Sequence, residues 1–454
     1  MRVWLVSVGQ PPPTDHGARR MRTQNVALEL AKRGHAVTWW LSDFDHFKKR
    51  HLKVNSEQEE IDGPISLRYL RSIGYRTNAS PRRYADDPLL AWQFWHHART
   101  RQCGVRPDIV IAALPTHHLA LAAVKFCLAE LVPVIVDYRD PWPDLFPQLL
   151  PQWIRPVSPL LFAWDHRCAR RCLGGATAIL AATDTLLSRA LGHAGRPVRR
   201  VDRVIFNAVT QATPTTDDEE KAERILAPAR ERLVVSFVGV LGRTHDPSAL
   251  IAAARRVGDR DFFFVIAGDG ERATALRKAA ADCPHIVFPG WLTEGQMHAL
   301  LGHSDVGVCP AGFETDVLPN KAQLYLSAGL PVLSSFSGDL QGILAKYDCG
   351  RAFKPGDDAA LAQLLQEMGI PQVRERCQRN ARKAFLDLFD ARTVFPVYAD
   401  YVEEIVRDRP AARRWDWQSS CPAACRGQER RGSTSRSRGL RSAPLDSPSR
   451  LGPA

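Results

Sequence analysis

No CxxC pair occurs anywhere in the chain, and none of its ten cysteines has the second Cys or His pair that a zinc site needs. Cys168 with Cys172, and Cys421 with Cys425, are four apart and stand alone. No metal is expected, and the cysteines read as small core hydrophobes of a reducing cytoplasm. Long apolar runs are also missing. The longest, Leu119 to Val136, is broken by Lys125 and Glu130, which excludes a spanning helix of roughly twenty residues. The first apolar run, in MRVWLVSVGQPPP, stops at Gly9 and Gln10, too short for a secretion signal, and reads as a strand.

Charge of one sign is scarce outside the end of the chain. The formal charge is +12 over 454 residues, but ten arginines against three acids beyond Asp408 carry seven of it. The body is only mildly basic, so nucleic acid is not an expected partner. Residues 408–454, rich in Arg, Ser, Pro and Gly, lack apolar periodicity and are expected to form a basic disordered tail. At 45% hydrophobic and 24% charged, the rest is ordinary globular usage, enough for two or three cores.

What is present is an alternation of strand-length apolar runs with helical periods, the pattern of parallel-sheet βα units. Runs at 2–8, 36–41, 65–71, 109–113, 132–137 and 178–182 predict one sheet, and those at 233–238, 262–267, 285–288, 306–309 and 332–334 a second. Between them TQATPTTDDEEKAER is polar and acidic, as an interdomain connection is. The expected organisation is a domain over 1–206, a linker over 207–231, a second domain over 232–393, and a helix over 394–407 that returns to the first. The fold class is α/β.

Ligands of such sheets bind outside the carboxyl ends of the strands. Three loops there carry candidate chemistry. Gly17, in QPPPTDHG after the first strand, lets backbone approach a ligand at a helix start. Gly268 and Gly270, with Ala273, form a G-x-G-x-x-A after a strand, but HIVFPGW offers no acidic residue at the end of the next strand, which argues against a dinucleotide oxidoreductase. GFETDVLPNKAQLYLSAGLPVLSS, 312–335, is densest: Glu314 and Asp316 precede a helix started by Pro319, with Asn320 and Lys321 in its first turn. A Lys at a helix start suits a pyrophosphate, and carboxylates suit sugar hydroxyls.

Several ordered motifs, HGARRMRTQNVALELAKRGHAVT, FDHFKKRH, VDYRDPWPD, VIFNAV, VIAGDGE and LPNKAQLYLSAGLPVLSS, resemble those of retaining GT-B glycosyltransferases of family 4 over residues 1–407, and the last resembles a PNK-type subgroup of bacterial surface-polysaccharide enzymes. The resemblance implies two Rossmann-like domains facing across a cleft, the acceptor side first and the donor side second. It implies a nucleotide-sugar donor as substrate, no cofactor or metal, and a glycan or lipid-linked acceptor. Lys321 and Arg243 are then the diphosphate holders, Gly17, Gly268, Gly270 and Asn320 belong to the same donor site, and Glu314 suits the sugar hydroxyls. Asp316 falls in the first of two usual glutamate slots, and Leu324, which cannot bond a ribose, fills the second. At the reacting centre the resemblance implies Asp140, kept ionised by Arg139 as an electrostatic or acceptor-base group. A catalytically silent binding protein and a nucleotide-sugar epimerase are the alternatives. Finally, 146–172 interleaves Trp153, Leu160, Leu161, Phe162 and Trp164 with Arg155, Arg167, Arg170 and Arg171, which suits an anionic membrane surface or else a helix with a wet Arg face. The expected location is cytoplasmic, or peripheral on the inner face of the cell membrane.

Overall fold

The computed structural model describes residues 1–14, 20–52, 58–61, 64–77, 80–100 and 106–408. Gly17 and the stretch from 409 onward lie outside the described residues.

The first sheet has eight strands in the spatial order Arg203–Val204, Ala178–Ala181, Val134–Tyr138, Ile109–Leu114, Arg2–Val6, Ala36–Ser42, Ile65–Leu70 and Gln58–Ile61. All pair in parallel except the last, which runs antiparallel to Ile65–Leu70. Its central strands are mostly apolar because both faces are covered. In Ile109–Leu114 all six residues are buried. On one face Trp4 and Trp40 pack against Phe94 of helix Pro81–Arg99 and Phe126 of helix His117–Glu130. On the other, Trp39 and Leu67 meet helix Arg22–Lys32 and the final helix, Ala391–Arg407, through Tyr398, Tyr401 and Val402. That final helix therefore completes the first domain's core, although it comes last in the chain.

The second sheet has six strands, all parallel, in the order Ile286–Gly290, Phe262–Ala267, Leu233–Val238, Val306–Cys309, Val332–Ser334 and Gly350–Ala352. Each face again has its own core. Strand order reverses direction between Arg2–Val6 and Ile109–Leu114 in the first sheet, and between Leu233–Val238 and Val306–Cys309 in the second. Those two crevices are where an open α/β sheet binds ligands.

The acidic stretch expected as a linker folds instead. Thr215 and Asp218 close a capping box, and helix Thr216–Leu226 follows. Its Ala222 is buried, and its Glu219 meets His303 at 3.0 Å, so the helix belongs to the second domain. Its acids sit in the first turn, where the helix dipole favours them. Only 205–214 is connection, tied to the chain's return by a bridge between Val209 and Asp390.

Candidate active site

At the second domain's crevice, Tyr325 of helix Asn320–Ser327 reaches between the central strands. Its hydroxyl accepts from the Val238 N–H (2.9 Å) and donates to the Val308 carbonyl (3.3 Å). Gly307 is glycine because a Cβ there would lie 2.4 Å from the Tyr325 ring. One turn earlier, this anchored helix holds Lys321. The Lys321 ammonium makes no hydrogen bond and lies 3.9 Å over the Phe237 ring. It sits beneath Gly239, where a Cβ would come within 3.1 Å of it. Burial pulls its pKa down to about 8. His245, next to it, is held down to about 4 by burial and by Lys321, and its Nδ1 is also without a partner.

The other predicted donor-side residues fare differently. Gly268 and Gly270 are required by backbone crossing: a Cβ on either would strike Gly239 O or Leu241 O, because the loops after Leu233–Val238 and Phe262–Ala267 are hydrogen-bonded together. The structure thus gives them a packing role. The Arg243 side chain is 89% exposed and lies 3.9 Å from Glu271, away from Lys321's buried position. Glu314 and Asn320 are exposed. Leu324 is buried in the core. Asp316 reaches Arg189 of the first domain at 2.5 Å, in place of an open position for a sugar. Beside that pair, Asp339 accepts from the backbone N–H groups of Asp184 (3.1 Å) and Thr185 (3.2 Å), so the helix Asp184–Ala194 is pinned to the second domain at two points.

In the first domain the expected pairing of Arg139 with Asp140 is corrected. Arg139 bonds Asp137 instead (Nε to Oδ2, 2.9 Å), and Arg22 bonds the same carboxylate at 3.0 Å. Asp137 is the last inward residue but one of its strand, fully buried, so its charge requires both guanidiniums. Burial alone would raise its pKa, but Arg139 and Arg22 outweigh it and hold the carboxyl below its usual range. Arg22 also donates to the Phe206 carbonyl and stacks on Tyr398, joining first sheet, interdomain connection and returning helix. Asp140 is left facing the cleft. The cleft walls raise its pKa, which Arg139 and Arg83 only partly offset.

Two cavities meet at Asp140. One of about 550 Å³ lies between the domains, with Arg20, Arg22 and Arg139 on one wall and Asn207, Asn320 and Gln323 on the other. A second, of about 260 Å³, runs into the first domain between the strand-end loops at Gly9 and Thr116. Gln10, Met21, Phe47, Arg139 and Asp140 border both. His117 and His118 line neither. His117 is buried with Nε2 at 2.6 Å from Asp165, which also accepts from Tyr84, so this is an internal tie. Sequence reasoning missed Arg189, Asp137, Asp87 and His245. Asp137 depends on Arg22, Arg189 on Asp316 and His245 on Lys321, all distant in the chain, and Asp87 on the burial that the folded cavity gives it.

Two family models match, Glycosyltransferase Family 4 over residues 21–212 and Glycosyl transferases group 1 over residues 218–384. The chain belongs to the glycosyltransferases. Each model spans one of the two domains, and the boundary between them falls on the 205–214 connection and the helix that follows it. No curated protein matches in sequence. Solved structures share the two-domain GT-B fold. Sucrose-phosphate synthase from Thermosynechococcus elongatus is 16% identical at a TM-score of 0.66, covering 90% of this chain and 100% of its own. Anabaena Alr3699/HepE in complex with UDP-glucose is 15% identical at 0.60, covering 89% and 100%. WaaG, a glycosyltransferase involved in lipopolysaccharide biosynthesis, is 14% identical at 0.57, covering 88% and 99%. Among the described residues no helix of this glycosyltransferase is long and apolar enough to cross a membrane.

Proposed function

We propose that this glycosyltransferase moves a sugar, with retention, from a nucleotide-sugar donor in the second domain to a hydroxyl of a glycan or lipid-linked acceptor in the first, in surface-polysaccharide, O-antigen or glycolipid assembly. The observation that carries the reading is the Lys321 ammonium, buried without a hydrogen bond at the crevice where strand order reverses. Such a charge is costly unless an anion arrives, and a diphosphate is the anion that a departing nucleotide supplies. HepE, of the same fold, is seen with UDP-glucose.

In the transfer, the bond from the sugar's anomeric carbon to the diphosphate breaks and a bond to the acceptor oxygen forms. The acceptor's proton leaves toward the diphosphate or Asp140. Lys321 stabilises charge growing on the leaving group, a term that is largest where water is excluded. Asp140, at the junction of the two cavities, orients the acceptor hydroxyl. The proposal assigns this chemistry to side chains, with no metal or cofactor. Incubating the purified chain with a panel of nucleotide sugars tests it: hydrolysis or transfer from at least one is expected, and binding without turnover by any would favour the silent binding protein. That second reading draws on Leu324, a leucine in the core where the resemblance expects a ribose-binding carboxylate.

The proposal extends to membrane attachment at the cytoplasmic surface. Trp153 is 81% exposed and Leu160 82%, and Leu161 and Trp164 stand out beside them. Clustered exposed apolar residues flanked by arginines fit an anionic bilayer. Cosedimentation with anionic vesicles should occur at low salt and weaken in Trp153→Ala. Absence of binding would remove attachment from the account.

A further inference from the structure

The 260 Å³ cavity of the first domain has a chemistry of its own. It is smaller than the roughly 300–1,000 Å³ of pockets for drug-sized ligands, so it has room for about one sugar ring. Phe44, Phe47, Tyr75 and Trp142 supply aromatic walls. The Arg83 guanidinium is spread over two of those rings, 4.9 Å from Trp142 and 5.5 Å from Tyr75. The Arg139 guanidinium donates to Asp137, a carboxylate that it shares with Arg22. Three carboxyls face the same space: Asp86, Asp87 and Asp140.

Asp86 is occupied, accepting from Ser72 Oγ and the Ile73 N–H, both at 2.8 Å. Its neighbour on helix Pro81–Arg99 is different. Asp87 is 8% exposed, lines the cavity, and accepts no hydrogen bond among the described residues. A buried carboxyl without a donor is costly, and sites of this kind are completed by what binds there. The aromatic rings offer flat apolar surface, and the carboxyls offer acceptors for hydroxyl groups. Among the described lining residues the three carboxyls outnumber the two arginines, both of which already have protein partners, and that balance disfavours a phosphate or carboxylate.

We infer that this pocket takes the terminal ring of a neutral acceptor sugar, packed on Trp142 and Tyr75 with its hydroxyls bonded to Asp87, and that it rejects rings carrying phosphate or carboxylate. The inference rests on the transferase reading, since it names the acceptor of that reaction. Burial pushes the Asp87 pKa up to about 7, against the pull of Arg83. Near neutrality the group then both donates and accepts, as a sugar hydroxyl requires.

Saturation-transfer NMR on the full chain without donor tests it, with methyl glycosides of neutral hexoses set against the corresponding 6-phosphates and uronic acids. At least one neutral glycoside is expected to bind and its anionic counterparts are not. Asp87→Leu should weaken that binding about tenfold or more while leaving UDP binding unchanged, and Asp87→Asn should restore part of it. Trp142→Ala, which leaves the helix intact, should weaken it as well. Preference for the anionic sugars, binding to none of the sugars, or neutral binding indifferent to both Asp87→Leu and Trp142→Ala would overturn the inference. Failure of every nucleotide sugar to bind, with glycoside binding still dependent on Asp87, would overturn the donor reading and leave the pocket standing.

Discussion

Arg189 and Asp316 meet at 2.5 Å across the interdomain cleft, each about a third exposed. Asp316 occupies the slot from which the donor sugar is expected to be held, so Arg189 competes with the donor for it. A partly exposed pair of this kind contributes at most about 1 kcal/mol. Arg189→Ala should therefore leave thermal stability nearly unchanged and tighten nucleotide-sugar binding by up to about fivefold, read by calorimetry. Weaker donor binding in Arg189→Ala would mean that Arg189 itself holds the donor.

Asp316→Asn should weaken the nucleotide sugar and leave the free nucleoside diphosphate bound as before. Equal loss for both ligands would move Asp316 off the sugar.

Lys321 is expected to help function and harm stability. Its pKa falls from 10.5 to about 8 on folding, which corresponds to a penalty on the order of 3 kcal/mol on the charged form. Lys321→Met should raise the midpoint of urea unfolding at pH 7 while weakening the donor. The sign with pH follows: between about 8 and 10.5 the unfolded chain binds more protons than the folded one, so the natural protein gains stability as pH rises through that window. The advantage of Lys321→Met should shrink there and vanish above it. A constant difference from pH 7 to 11 would show that Lys321 is not desolvated in solution.

Asp137→Asn leaves Arg22 and Arg139 facing each other without their shared anion. Removal of one partner from a buried ionic cluster costs about 3–5 kcal/mol. Urea unfolding should show a loss of that size, and a loss below about 1 kcal/mol would mean that water screens the cluster.

Strands such as Leu233–Val238, Phe262–Ala267, Val306–Cys309 and Val332–Ser334 were legible to the residue, because burial on both faces writes a nearly continuous apolar run. Helix Pro81–Arg99 was not, since Pro88 and a scatter of Asp, Arg and His hide its narrow apolar stripe of Leu90, Ala91 and Phe94. The acidic stretch after Thr215 read as a connection because polar residues at a helix's first turn look the same as a loop until the cap is seen. At the site, Lys321 was visible through its motif. The partner of Arg139 was not, because which of Asp137 and Asp140 it meets depends on the strand's pleat and on Arg22, 115 residues away. The Arg189 pairing spans 127 residues and has no spacing to read.

The central claim is that Lys321 receives a donor diphosphate. Calorimetric titration of the purified chain and of Lys321→Ala, each with the nucleotide sugar that the natural protein turns over, tests it most directly. The account predicts a loss of roughly ten- to a hundredfold in affinity, with affinity for the natural protein also falling as pH rises above about 8. A folded Lys321→Ala that binds and turns over the donor as the natural protein does would contradict it.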